Sequence, residues 1–192
     1  MKRNRAVFMD RDGTINEEVG YLSKLNQLKI FSSTFEAIRI INESGMKAVV
    51  ITNQSGVARG FFDEDFVNAV HARINEMLQE EGAFIDRFYY CPHHPTEGSG
   101  VYKIDCGCRK PEPGMFLKAA EEMDINLASS YMIGDMPKDI QAARSAGVKG
   151  ILVQTGYEGN VIPAGNPVYT AQDILDAVRW IMKDQKSEYP DR

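Results

Sequence analysis

Asp10 and Asp12, two positions apart, stand at the end of an apolar run and lead into a Gly13-Thr14 turn. A strand places residues i and i+2 on the same side. A strand ending near Asp10 therefore lets both acids converge on one point just past its carboxyl end. Neighbouring carboxylates push their pKa values apart, so one stays ionised while the other holds a proton. The chemistry of such a pair is a nucleophile beside a general acid. A bare pair of acids is usually no more than a solvated strand-to-turn junction, and the rest of the chain decides between the two.

Three further clusters follow in order. Thr52-Asn53-Gln54-Ser55-Gly56 closes a second apolar run with a hydroxyl and exposed amides in a Gly-permitted turn. Such a turn can offer a side-chain hydroxyl and backbone N–H groups to phosphate oxygens. Arg109-Lys110-Pro111 supplies adjacent cations, and Tyr131-Met132-Ile133-Gly134-Asp135 carries another carboxylate out of a strand, with Asp139 four residues on. Singly, each has an ordinary explanation: a strand-end hydroxyl, a solvated lysine, a turn, an acid stabilising the start of its helix. Together they make one site.

All three cysteines and two of the three histidines fall within residues 91–108. An odd number of clustered thiols suggests a metal before disulfides. Cys91-x-His93 and Cys106-x-Cys108 offer three thiolates and an imidazole, enough to close a tetrahedral zinc site with a structural role. His94 competes with His93, and spacing does not choose between them. His71 lies amid a helical pattern and reads as a surface or packing residue.

These groups must be positioned by alternating elements. Strands are expected at 6–9, 47–52, 84–90, 131–133 and 150–153; helices at 34–42, 63–79, 115–123 (with Pro113 just inside the start), 138–146 and 171–182; and a loop at 157–167. That alternation predicts an α/β fold, a Rossmann-like three-layer sandwich with a central, mostly parallel sheet. Ligands then bind beyond the carboxyl ends of the strands. The 192 residues suit a single domain, 1–192, with residues 91–108 as an insert. No insertion is large enough for a separate lid, so the cap is minimal and made of loops. A net charge of -5 argues against nucleic acid as a partner. No stretch has transmembrane length, and the apolar run after the basic N-terminus is too short for a signal peptide. A cytoplasmic monomer acting on a small molecule is expected.

The set Asp10-x-Asp12-x-Thr14, Thr52, Lys110 and Gly134-Asp135 resembles the four motifs of the haloacid dehalogenase superfamily of phosphohydrolases. Asp10-Arg11-Asp12-Gly13-Thr14-Ile15-Asn16, Thr52-Asn53-Gln54-Ser55-Gly56, Cys91-Pro92-His93-His94-Pro95 and Cys108-Arg109-Lys110-Pro111 are similar to the heptose bisphosphate phosphatases. The related histidinol-phosphate phosphatases share much of this set. The likeness covers roughly residues 5–157. It implies that Asp10 is the nucleophile, Asp12 the proton carrier, and Thr52 and Lys110 the holders of the phosphoryl oxygens. It implies Mg²⁺ on Asp10, the Asp12 carbonyl and Asp135, with Asp139 orienting this shell, and zinc on Cys91, His93, Cys106 and Cys108. Substrate contacts are implied at Glu18, Val19, Gly20 and Tyr21, at Thr52, Asn53, Gln54 and Ser55, at Arg109 and Lys110, and at Met136. Arg109 would meet the second phosphate. The implied reaction removes the C7 phosphate of a heptose 1,7-bisphosphate, a step towards nucleotide-activated heptose and lipopolysaccharide core; histidinol phosphate is the alternative substrate. The chain departs from the pattern twice. Met136 stands where a lysine is frequent, with Lys138 two positions later, and Glu18-Val19 stands where Asp-His is common.

Overall fold

The computed structural model describes residues 3–156 and 166–188. The apolar runs become strands β1 (Ala6–Met9), β2 (Lys47–Asn53), β3 (Arg87–Cys91), β4 (Tyr131–Gly134), β5 (Lys149–Val153) and β6 (Tyr169–Ala171). Between them run helices α1 (Ser32–Glu43), α2 (Glu64–Glu80), α3 (Gly114–Glu122), α4 (Pro137–Ser145) and α5 (Ile174–Glu188). The sheet order is β3-β2-β1-β4-β5-β6, and every neighbouring pair is parallel. The chain builds outward from β1 to β3, then returns to lay β4 on the other side of β1. The crevice of such a sheet opens at this switch, between β1 and β4. Asp10 N donates to Ile133 O at 2.9 Å, which carries the β1–β4 ladder up to the first acid.

The two-residue period of β1 divides its side chains between two cores. Val7 and Met9 pack with Ile38 and Ile41 of α1, Ile74 and Leu78 of α2, and Val178 and Ile181 of α5. Ala6 and Phe8 face the opposite side, with Met115 and Phe116 of α3 and Ala142 and Ala143 of α4. Each fully buried Val, Ile, Leu, Met or Phe side chain among these contributes about 1.5–3 kcal/mol. The strand ends are thus gripped from both faces, and the loops beyond them inherit fixed anchors. At the start of α2, the Asp63 side chain accepts from Phe66 N at 2.8 Å, as an N-cap should.

Two elements differ from the sequence expectation. β3 begins at Arg87 rather than Phe84, because Asp86 first receives Lys47 Nζ at 2.7 Å and Ala48 N at 2.9 Å. Those side-chain bonds hold the segment before its ladder starts, and Phe84 is left exposed. The expected closing helix from Ala171 is instead β6 followed by α5. Three residues carry no readable pattern; the pairing of Ile151 with Tyr169 and of Val153 with Ala171 makes them a strand. Of the expected loop at 157–167, residues 157–165 lie outside the described residues. Among the described residues, no helix is long and apolar enough to cross a membrane.

Candidate active site

The carboxylates of Asp10, after β1, and of Asp135 and Asp139, after β4, gather within 4.8 Å of one another and are buried. Three carboxylates this close demand positive charge. Lys110 supplies one, with Nζ 3.0 Å from Asp10 Oδ1 and 2.6 Å from Asp139 Oδ1. The same ammonium donates to Ile51 O at 3.0 Å. Burial alone would lower the Lys110 pKa; Asp10 and then Asp139 outweigh it and hold it raised. At Asp135 the positive charge of Lys110 offsets only part of the opposing effects. Burial, with Asp10 and Asp139 nearby, pushes its carboxyl up to about 8, and its Oδ1 is buried without a hydrogen-bond partner. An orphaned buried oxygen among surplus acids fits a hard divalent cation with oxygen ligands. The backbone leaves the Asp135 carboxylate room. A Cβ at Gly13, whose φ is +81°, would lie 2.4 Å from its Oδ2.

Asp12 belongs to a second network. Arg11 reaches both its oxygens, Nε to Oδ1 at 3.1 Å and Nη2 to Oδ2 at 2.7 Å. Asn16 Nδ2 and Gln54 Nε2 each donate to it at 2.9 Å. Burial works against its charge, yet Arg11 and these donors hold its pKa below the usual carboxylate range. The expectation that crowding leaves one member of the Asp10–Asp12 pair protonated is therefore corrected for Asp12. The crowded acids whose pKa values rise are Asp135 and Asp139. Gln54 Nε2 also donates to Thr52 Oγ1 at 2.9 Å. That bond uses the Thr52 oxygen as acceptor and leaves its hydroxyl proton free for another oxygen.

The cysteine-bearing loop closes on itself. Cys91 Sγ lies 3.5 Å from Cys106 Sγ and 3.1 Å from Cys108 Sγ, and Cys106 Sγ lies 3.3 Å from Cys108 Sγ. His93 Nδ1 completes the group, 3.6 Å from Cys91 Sγ and 3.5 Å from Cys108 Sγ. Hydrogen bonding between the sulfurs drives Cys91 up and Cys108 down to about 5. Three sulfurs and one ring nitrogen at these separations form a four-donor set that fits zinc.

Between the acids and this loop opens a cavity of about 380 Å³. The HAD-hydrolase-like family profile matches residues 107–177. The chain is 42% identical over 185 residues to D-glycero-D-manno-heptose-1,7-bisphosphate 7-phosphatase of Thermosynechococcus vestitus, covering 92% of this chain and 94% of that one. It is 44% identical over 183 residues to D-glycero-beta-D-manno-heptose-1,7-bisphosphate 7-phosphatase of Photorhabdus laumondii, covering 93% and 97%. The chain belongs to this family of haloacid dehalogenase-like phosphatases. Among solved structures, D,D-heptose 1,7-bisphosphate phosphatase of B. bronchiseptica, complexed with magnesium and phosphate, superposes with a TM-score of 0.81 at 31% identity, over 94% of this chain and 99% of that one.

Most residues singled out in the sequence meet at the phosphatase cavity. Asp10, Asp12 and Asp135 line it, as do Glu18, Gly20 and Tyr21, the run from Thr52 to Ser55, Arg109, and Met136. Lys110 lies beneath Asp10, wholly out of solvent. Val19 does not line the cavity and is exposed. Asn53 spends its side-chain amide on the backbone of Lys110. Asp139 keeps one oxygen for Lys110, and its Oδ2 accepts from Met136 N at 3.0 Å. Four lining residues with basic side chains are not among the expected substrate contacts: Arg11, Arg59, His94 and Lys138. Lys138, two positions past the point where a lysine is frequent, does reach the cavity. Arg59 shares a loop with Ser55, a proximity that could have flagged it.

Proposed function

We propose that this chain removes the C7 phosphate of D-glycero-D-manno-heptose 1,7-bisphosphate, in the cytoplasmic route to nucleotide-activated heptose and lipopolysaccharide core. The observation that carries it is the Asp10 carboxylate, held by Lys110 Nζ at 3.0 Å and facing an open polar cavity. Relatives that share most of the chain are named for that substrate.

Asp10 attacks phosphorus in line, forming an Asp10 oxygen–phosphorus bond as the bond to the C7 oxygen breaks. Lys110 fixes which Asp10 oxygen is free to attack, because it occupies Oδ1. The Thr52 hydroxyl donates to a phosphoryl oxygen. Asp12 is ionised before substrate arrives; an incoming phosphate adds like charge beside it and raises its pKa. It then takes up a proton from solvent water in the open cavity and passes it to the leaving sugar oxygen. In the second half, Asp12 removes a proton from the water that hydrolyses the aspartyl-phosphate. When bound to Asp10, the Asp12 carbonyl and Asp135, Mg²⁺ would neutralise charge on the phosphoryl oxygens. Zinc on Cys91, His93, Cys106 and Cys108 would be structural, tying the loop that carries Arg109 and Lys110.

The test compares kcat/KM for both anomers of heptose 1,7-bisphosphate and for histidinol phosphate, with Mg²⁺ present. Either heptose anomer should lead by orders of magnitude, and Asp10→Asn should abolish phosphate release. A reversed preference for histidinol phosphate sinks this assignment.

A further inference from the structure

The adjacent histidines of the zinc loop have different partners. His93 Nδ1 faces the cysteine sulfurs, whereas His94 lines the cavity. His94 Nδ1 accepts from two backbone amides, Thr96 N at 3.3 Å and Glu97 N at 2.9 Å. A neutral imidazole whose Nδ1 accepts carries its proton on Nε2. His94 therefore presents an N–H donor from a ring locked by its own turn.

Two guanidinium groups flank it. Arg109 is anchored by Nη1 donating to His93 O at 3.1 Å. Arg59 arrives from the opposite loop, with Nη1 3.6 Å from Glu97 Oε2 and its guanidinium 5.9 Å from the Tyr21 ring centre. The Arg59 Nε is buried without a partner. Two cations and a fixed N–H donor thus share one end of the cavity, and Glu97 balances a single charge. Phosphate suits such a place, since arginine forks and oriented N–H donors make charge-assisted bonds to its oxygens.

We propose that His94 and Arg59 join Arg109 in gripping the phosphate that is not hydrolysed, so that His94 Nε2 sets preference for a bisphosphate over a monophosphate. The inference rests on the sugar bisphosphate reading above and deepens it.

The experiment measures kcat/KM for heptose 1,7-bisphosphate and for heptose 7-phosphate, which lacks the second phosphate, together with bound zinc. His94→Asn keeps an acceptor for the Thr96 and Glu97 amides but removes the Nε2 donor. It should lower the bisphosphate-to-monophosphate ratio about ten-fold, the worth of one hydrogen bond to a charged group. His94→Gln, whose amide nitrogen reaches the Nε2 position, should restore part of that ratio. Arg59→Met lies on another loop and should lower the ratio at least as much, which keeps the test alive should the histidine variants fold poorly. All three should retain zinc. An unchanged ratio in folded His94→Asn and Arg59→Met overturns the proposal, and so does zinc loss from His94→Asn. If the unmodified enzyme hydrolyses phosphate esters with no preference for the bisphosphate, the substrate reading fails first and this subsite falls with it.

Discussion

The Asn53 side chain clamps Lys110 by both of its backbone hydrogen-bonding groups. Oδ1 accepts from Lys110 N, and Nδ2 donates to Lys110 O, each at 3.0 Å. Lys110 belongs to a loop remote in sequence, so the end of β2 sets where its ammonium sits; Nζ then returns to β2 at Ile51 O. Asn53→Ala removes both backbone bonds. The expected result is a loss of about 1–3 kcal/mol in stability, read by thermal unfolding. With the ammonium out of register, kcat should drop by at least about ten-fold, since phosphoryl transfer depends on positioned charge. Unchanged kcat in a folded variant would mean that Asp10, Asp139 and Ile51 seat Lys110 unaided.

Gly13 makes a second sharp test. Its φ of +81° disfavours any side chain, and an added Cβ would stand 2.4 Å from Asp135 Oδ2. Gly13→Ala must therefore move the Asp135 carboxylate or the turn that carries the Asp12 carbonyl. Mg²⁺ affinity measured calorimetrically should weaken by about ten-fold or more, because this ion tolerates little departure from octahedral geometry. Affinity like that of the unmodified protein would remove Asp135 from the ligand set.

Asp10, Thr52 and Asp135 were legible because each ends an apolar run, and alternation of helices and strands requires such ends to share one edge of a parallel sheet. Arg11 was not legible. Nothing in the periodicity says where a turn residue between two acids points, yet its side chain is only 2% exposed and holds Asp12 ionised. Asp139 taken alone reads as an acid stabilising its helix start, and only the resemblance gives it a place beside the Mg²⁺ shell. One oxygen does bond Met136 N there, while the other faces Lys110, a partner about thirty residues earlier that no local pattern could supply. His93 and His94 are the same residue type side by side. In the structure, the cysteine sulfurs beside His93 Nδ1 and the backbone turn at Thr96 and Glu97 that captures His94 Nδ1 tell them apart. β6 escaped notice because its three residues owe their conformation to β5.

The cysteine cluster should matter to catalysis without touching a reacting atom. Cys108 Sγ lies 3.1 Å from Cys91 Sγ and 3.5 Å from His93 Nδ1, and the next two residues are Arg109 and Lys110. A long polar loop is costly to order, at about 1–2 kcal/mol per fixed residue. Cross-linking its two ends through zinc would offset part of that cost. Cys108→Ser should bind less than stoichiometric zinc by elemental analysis and lose kcat/KM by about ten-fold or more. Near-normal turnover by a folded, zinc-free variant would show that the loop keeps its shape without metal.

His71, on α2, predicts how the fold responds to acid. Its ring stacks on Phe88 with centroids 4.5 Å apart and tilts against Tyr90 at 5.8 Å, and its Nε2 is buried without a partner. Burial first, then the positive charge of Arg11, lowers its pKa from 6.5 to about 3; Asp12 opposes this more weakly. The unfolded chain therefore binds a proton at His71 that the folded one refuses between those two values. Stability from a neutral His71 is fully present above pH 6.5 and drains away as the pH falls towards 3. Between pH 7 and pH 5 the loss from this one group is about 2 kcal/mol. His71→Phe preserves the stacking surface and deletes the titration. Urea midpoints measured at pH 7.5 and 5.0 should converge in His71→Phe and stay apart in the unmodified protein. Equal shifts in both would place the acid sensitivity on the carboxylates instead.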